Sequence, residues 1–216
     1  MKFPEQTIRR LEKSGVAAGF SVEKPEHAVP IAKALLAGGI DAIELTFRTP
    51  AALDALKAIC ANVPKMLVGV GTILTPEQVE HVKAAGADFG VAPGMNPKVI
   101  QAAEKVGLPF APGIATPSEL EAAIEYGCRL VKFFPAEAMG GLTYLRSMGA
   151  PYKHLGIRYF PLGGVNSENM VAYLNEPNIP AVGGTWIVKK ELVEMEDWAG
   201  ITARAAEVRQ ILDESM

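Results

Sequence analysis

Lys132 stands in the apolar run Leu130-Val131-Lys132-Phe133-Phe134-Pro135, where a buried strand is expected. An ammonium in a dry strand is costly unless it is paired or gives up its proton. Burial favours the uncharged amine, and an uncharged amine is the nucleophile that attack on a ketone requires. The competing reading is a lysine whose stem is buried while its head reaches solvent or a carboxylate. Glu44 is set in a similar way, within Ala42-Ile43-Glu44-Leu45. A buried carboxylate near a lysine is either a static ion pair or a proton carrier.

Further polar groups follow other apolar runs. Arg48 comes four residues after Glu44; its planar fork suits a carboxylate or a phosphate, whereas a surface arginine at a helix start would oppose the helix dipole. Thr72 either bonds a ligand or caps a turn. Two glycine pairs, Gly163-Gly164 and Gly183-Gly184, close the list. Glycine lets backbone N–H groups approach an anion closely, and it is also the ordinary turn residue.

The elements that must hold these groups are legible from a recurring half-unit: an amphipathic helix, a glycine stop, then a short apolar strand. Residues 34–46, 82–93 and 123–133 are its clearest copies. In each, glycine supplies the left-handed conformation that ends the helix. Thr75-Pro76-Glu77-Gln78 and Thr116-Pro117-Ser118-Glu119 read as capping boxes with proline at the first helical position. Thr49-Pro50 and Asn96-Pro97 read as further helix starts.

Apolar strands are expected near 16–22, 41–46, 66–70, 88–92, 108–111, 129–134, 158–162 and 180–184, with helical patterns between them. Strands alternating with helices imply a parallel sheet covered by helices. Eight such units in 216 residues favour closure into a (β/α)₈ TIM barrel, with an extra N-terminal helix near 4–14 and a last helix over 197–213. No linker or low-complexity stretch interrupts the chain, so one domain over 1–216 is expected. In a barrel, ligands are met at the C-terminal ends of the strands, and phosphate sites recur after strands seven and eight. The two glycine pairs fall in those two loops.

Composition bounds the partners. A hydrophobic fraction of 49% is ample for a core, and the net charge of −3, without a run of like charges, gives no nucleic-acid surface. No apolar run approaches the length of a membrane span, and the opening residues lack the pattern of a secretory peptide, so a cytoplasmic protein is the default. Cys60 and Cys128 have no metal-ligand spacing and read as small buried hydrophobes. His27, His81 and His154 are expected at the surface, and no cluster has metal-ligand spacing, so no metal is expected. Trp186 and Trp198 are expected to serve packing.

Taken together, Glu44-Leu45-Thr46-Phe47-Arg48-Thr49, Val68-Gly69-Val70-Gly71-Thr72, Pro112-Gly113-Ile114-Ala115-Thr116, Val131-Lys132-Phe133-Phe134-Pro135-Ala136-Glu137 and Gly183-Gly184-Thr185-Trp186 resemble the KDPG/KHG aldolases over nearly the whole length. These are class I enzymes that cleave 2-keto-3-deoxy-6-phosphogluconate or 4-hydroxy-2-oxoglutarate. The resemblance implies that Lys132 forms the Schiff base and Glu44 transfers protons. It further implies that Arg48 and Thr72 bind the pyruvate portion, that Pro93 and Phe134 shape the pocket, and that Gly163, Gly164, Gly184 and Thr185 hold a substrate phosphate. A small 2-keto acid substrate, no metal or organic cofactor, no nucleic-acid or membrane partner, and a homotrimer are implied as well.

Two departures bear on substrate choice. Family members commonly carry threonine before the first glycine pair, where this chain has Leu162. The first strand, often Val-Val-Pro-Val-Ile, reads Val16-Ala17-Ala18-Gly19-Phe20. Losing a hydroxyl partner alters discrimination when a site is built to bond that group. An aldolase for another 2-keto-3-deoxy sugar acid, such as the galactonate epimer, therefore stands as an alternative. A phosphosugar isomerase or epimerase, or a non-catalytic sugar-phosphate binder, stands beside it.

Overall fold

The computed structural model describes residues 3–215. Helix α1 (Glu5–Ser14) buries Ile8 and Leu11 and stops at Gly15, whose φ of 70° lets its N–H bond the Leu11 carbonyl. Strands and helices then alternate: β1 (Val16–Phe20), α2 (Ala28–Ala37), β2 (Ala42–Thr46), α3 (Ala52–Asn62), β3 (Leu67–Gly71), α4 (Pro76–Ala84), β4 (Phe89–Val91) and α5 (Pro97–Val106). Two short strands follow, β5 (Phe110–Ala111) and β6 (Gly113–Ile114), then α6 (Pro117–Glu125), β7 (Leu130–Phe133), α7 (Gly141–Gly149), β8 (Arg158–Pro161), α8 (Met170–Leu174), β9 (Val182–Gly184), α9 (Lys190–Glu194) and α10 (Trp198–Ser215).

All strand pairs are parallel. They form an α/β fold with a curled parallel sheet whose ladders fall in two parts, ordered β5-β4-β3-β2-β1-β9 and β6-β7-β8. An isolated parallel bridge, Leu162 to Gly183, joins the end of β8 to β9. The fifth strand, expected over 108–111, is shorter, at Phe110–Ala111, and a further short strand, Gly113–Ile114, follows across Pro112. Proline has no N–H to give a ladder, although the Pro112 carbonyl still accepts the Lys132 N–H at 2.8 Å.

Strand side chains alternate between two faces, and the alternation sorts the core in two. Leu11, Ala17, Ala42, Leu67, Phe89 and Leu130 belong to one cluster on the inner face, which α1 and the Phe3 ring cover from the N-terminal end. The larger cluster lies between the strands and their helices, with Ile43, Leu45, Val70, Val131 and Phe133 facing outward to it. Residues two and four positions beyond Ala42 and Leu130 return to the inner face. That periodicity turns Glu44, Thr46 and Lys132 inward, toward the C-terminal ends of the strands.

The capping boxes at Thr75/Gln78 and Thr116/Glu119 form, and Asn96 caps α5 through the Lys98 N–H. Thr49 does not cap a helix: α3 begins at Ala52, and the Thr49 hydroxyl donates to the Val22 carbonyl at 2.6 Å. His27 is not at the surface. It is 8% exposed, 3.3 Å from Glu196 and edge-on to Trp198, contacts made by residues far along the chain. His81 and His154 are exposed as expected. Cys60 is partly buried and Cys128 buried, both unpaired, and burial pushes each thiol up to about 11. Among the described residues no helix is long and apolar enough to cross a membrane.

Candidate active site

Lys132 and Glu44 meet. Lys132 Nζ donates to Glu44 Oε1 at 2.7 Å, and the two side chains are 6% and 5% exposed. The pair bridges the two parts of the sheet, since Glu44 is in β2 and Lys132 in β7. The amine also lies 5.2 Å from the centre of the Phe134 ring, a distance at which an aromatic face attracts a cation. Desolvation makes such a pair sensitive to loss of either partner. Its 2.7 Å contact is short enough for a proton to pass directly between nitrogen and oxygen.

Gly71 makes room for the carboxylate. A β carbon there would lie 2.0 Å from Glu44 Oε1, so no other residue fits without moving Glu44. Gly71 was not among the expected site residues, although it stands in the Val68–Thr72 motif. Thr46 and Ser21 were missed as well: their hydroxyls bond each other, and Thr46 also donates to the Phe20 carbonyl at 3.2 Å. The period-two spacing of Glu44 and Thr46 was the available signal.

Arg48 and Thr72 form a second pair, Arg48 Nε donating to Thr72 Oγ1 at 3.3 Å. Thr72 has φ 62°; a side-chain-bearing residue in that region is disfavoured by about 1–2 kcal/mol. Such conformations cluster at functional sites. Pro93 follows β4 and backs onto Gly113 on β6, where a β carbon would approach the Pro93 carbonyl to 2.3 Å. Leu162 is 4% exposed and lies against Gly183.

The glycine loops differ in conformation. Gly163 and Gly164 are both left-handed, with φ 92° and 89°, and they turn the chain back over Phe134 and Glu137. Glu137 accepts a hydrogen bond from the Tyr173 hydroxyl, and the Asn169 amide donates to the Gly164 carbonyl at 3.2 Å. Gly184 ends β9, with Thr185 exposed beside it. Trp186 is partly buried against the core and its indole Nε1 has no hydrogen-bond partner.

A cavity of about 860 Å³ is lined by Phe20, Ser21, Lys24, Thr185, Trp186 and neighbours. It does not include Lys132 or Glu44, which are nearly closed off; it begins at Ser21, on the face that carries Glu44. Among the described residues no group of three His, Cys, Asp or Glu side chains is placed to hold a metal ion.

Residues 7–204 match the family model described as KDPG and KHG aldolase. The chain belongs to the KDPG and KHG aldolase family. It is 40% identical to the 2-dehydro-3-deoxy-phosphogluconate aldolase of Treponema pallidum, covering 94% of this chain and 95% of that one. It is 42% identical to the KHG/KDPG aldolase of Escherichia coli, covering 86% of each. A crystal structure of the KDPG aldolase from Legionella pneumophila, with pyruvate captured as a covalent carbinolamine, superposes with a TM-score of 0.88 at 38% identity over 94% of this chain and 98% of that one.

Proposed function

We propose that this chain is a class I aldolase, a carbon–carbon lyase that cleaves 2-keto-3-deoxy-6-phosphogluconate to pyruvate and glyceraldehyde 3-phosphate, 4-hydroxy-2-oxoglutarate to pyruvate and glyoxylate, or both. The observation that carries this reading is the buried 2.7 Å contact between Lys132 Nζ and Glu44 Oε1.

Glu44 takes a proton from the Lys132 ammonium, and the freed amine attacks the C2 ketone to give a carbinolamine. Glu44 returns that proton to the carbinolamine hydroxyl, which leaves as water; the protonated imine that remains acts as the electron sink, and the carboxylate is free again. Glu44, through a water, removes the C4 hydroxyl proton; the C3–C4 bond breaks, the aldehyde leaves, and its bonding electrons form an enamine. Glu44 passes this proton on to C3 of the enamine, and hydrolysis of the resulting imine releases pyruvate and restores the amine. The scheme calls for neither metal nor organic cofactor.

In this reading Arg48, held by its hydrogen bond to Thr72, pairs with the substrate carboxylate, and the strained Thr72 backbone keeps the hydroxyl in place. Pro93, Phe134 and Leu162 shape the pocket. Gly163, Gly164, Gly184 and Thr185 hold the phosphate of a phosphorylated substrate, which the cavity at Thr185 has room to receive. The two ladders close as one (β/α)₈ barrel with α1 as an extra N-terminal helix; the Leu162–Gly183 bridge and the one-residue gap at Pro112 support closure. One domain over 1–216, a cytoplasmic location and a homotrimer complete the proposal; the homotrimer rests on family likeness.

Product analysis tests the reaction class. A panel of 2-keto acids, phosphorylated and not, should yield pyruvate and an aldehyde, and kcat/KM ranks the substrates. An uncleaved, isomerised skeleton would overturn the aldolase in favour of an isomerase or epimerase, and saturable binding without turnover would favour a binding protein.

A further inference from the structure

Gly19 and Glu44 are register partners across β1 and β2. Ser21 and Thr46, each two residues farther on, therefore share the inward face. Thr46 is 3% exposed and its hydroxyl donates to the Phe20 carbonyl at 3.2 Å. A hydroxyl has one proton to give. With the Thr46 proton on Phe20, the bond between the two hydroxyls must use the Ser21 proton. Ser21 Oγ is then left with lone pairs and no donor, on an exposed residue that lines the large cavity.

Ser21 thus belongs both to the face that carries Glu44 and to the cavity that reaches Thr185. Gly19 keeps the space between them open. A β carbon there would lie 3.3 Å from the Gly184 carbonyl oxygen and 3.5 Å from Thr185 Cγ2, so a branched side chain would stand between β1 and the loop after β9. A first strand with valine at this position would fill that space.

We propose that Ser21, oriented by Thr46, is a specificity-determining residue that accepts a hydrogen bond from a substrate hydroxyl beyond C4, the one that the aldehyde product keeps next to its carbonyl carbon. The inference rests on the aldolase reading above and narrows its substrate class. An acceptor-only oxygen pairs with a hydroxyl but has nothing to offer a carboxylate, which also only accepts. The site therefore favours a hydroxylated, phosphate-bearing tail over the carboxylate tail of 4-hydroxy-2-oxoglutarate. Thr46 is a positioning residue: it fixes which way the Ser21 proton points.

The test uses Ser21→Ala in the aldol direction, with pyruvate and three acceptors: glyceraldehyde 3-phosphate, 3-oxopropyl phosphate (the same chain without its hydroxyl) and glyoxylate. Losing one hydrogen bond should lower kcat/KM for glyceraldehyde 3-phosphate about three- to tenfold. The other two acceptors should be unaffected, and Ser21→Thr should restore the discrimination. An equal change for all three acceptors, or no change for glyceraldehyde 3-phosphate, would overturn the inference alone, provided borohydride still traps pyruvate on the wild-type protein. Absence of trapping on the wild-type protein would overturn the aldolase reading and this inference with it.

Discussion

Replacing Gly71 with alanine should part the buried amine from its carboxylate while leaving both in the chain. A β carbon at this position would lie 2.0 Å from Glu44 Oε1, 2.6 Å from Cδ and 2.8 Å from Cγ. Gly71 is locked in β3, in register with Thr46, and its carbonyl accepts the Phe47 N–H at 2.8 Å. The carboxylate gives way before the strand does. Reaching an ordinary contact of 3.4 Å requires Oε1 to recede by 3.4 − 2.0 = 1.4 Å. Added along the bond to the present 2.7 Å, that retreat takes the nitrogen–oxygen distance to about 4 Å, beyond hydrogen bonding. A misplacement of about 1 Å at reacting groups lowers rates on the order of a hundredfold. Gly71→Ala should therefore lose about a hundredfold or more in kcat, measured by coupled pyruvate release, while circular dichroism shows a retained fold. The amine itself is untouched, so borohydride should still fix pyruvate to Lys132. A folded variant with kcat within about threefold of wild type would refute the steric argument and the role it gives Glu44.

Glu44→Gln should still form the imine, more slowly because solvent must then free the amine, and should slow turnover by roughly a hundred- to ten-thousand-fold, the range for removing a general acid–base group; single-turnover kinetics separate the two steps. Lys132→Met leaves the Glu44 carboxylate buried and unpaired, which should reduce stability by about 3–5 kcal/mol. Adding Glu44→Gln should recover much of that loss in urea titrations, and equal midpoints for the single and double variants would contradict it. The Cys60 and Cys128 thiols are raised from 9.0 to about 11, chiefly by burial. The unfolded chain then loses these protons first, so their contribution is intact below pH 9 and declines between pH 9 and 11. A Cys60→Ala/Cys128→Ala variant should show a shallower loss of stability across that window, and identical slopes would refute the assignment. Thr116→Ala removes a complete capping box and should lower stability by about 1 kcal/mol, read from the same titrations.

Much of the framework was legible because it depends on local rules. Proline after Thr75 and Thr116, though not after Thr49, glycine after a helical run and short apolar strands marked the helix starts, stops and strand positions. Lys132 and Glu44 were legible as charges in runs that had no other reason to carry them. Their nearness was expected through the fold and not through any local pattern, since 88 residues separate them and only the curl of the sheet brings β2 and β7 face to face. His27 was misjudged for the same reason: its burial is supplied by Glu196 and Trp198 from the far end of the chain. Pro112 separates β5 from β6 because it has no N–H to give a ladder. Gly71 stands in the Val68–Thr72 motif, but its role was not legible there, because it is to leave space for a side chain from the neighbouring strand. Thr46 alone was within reach, since it repeats Glu44 at the spacing that puts both on one face.

The central claim is that the Lys132 amine, shielded beside Glu44, forms a covalent bond with a 2-keto acid. Incubation with pyruvate and sodium borohydride, followed by peptide mass mapping, tests it most directly. The expected result is a single reduced pyruvate adduct on Lys132, absent in Lys132→Ala and unaffected by a chelator. An adduct on another lysine, or none under conditions where the protein cleaves its substrate, would contradict the account.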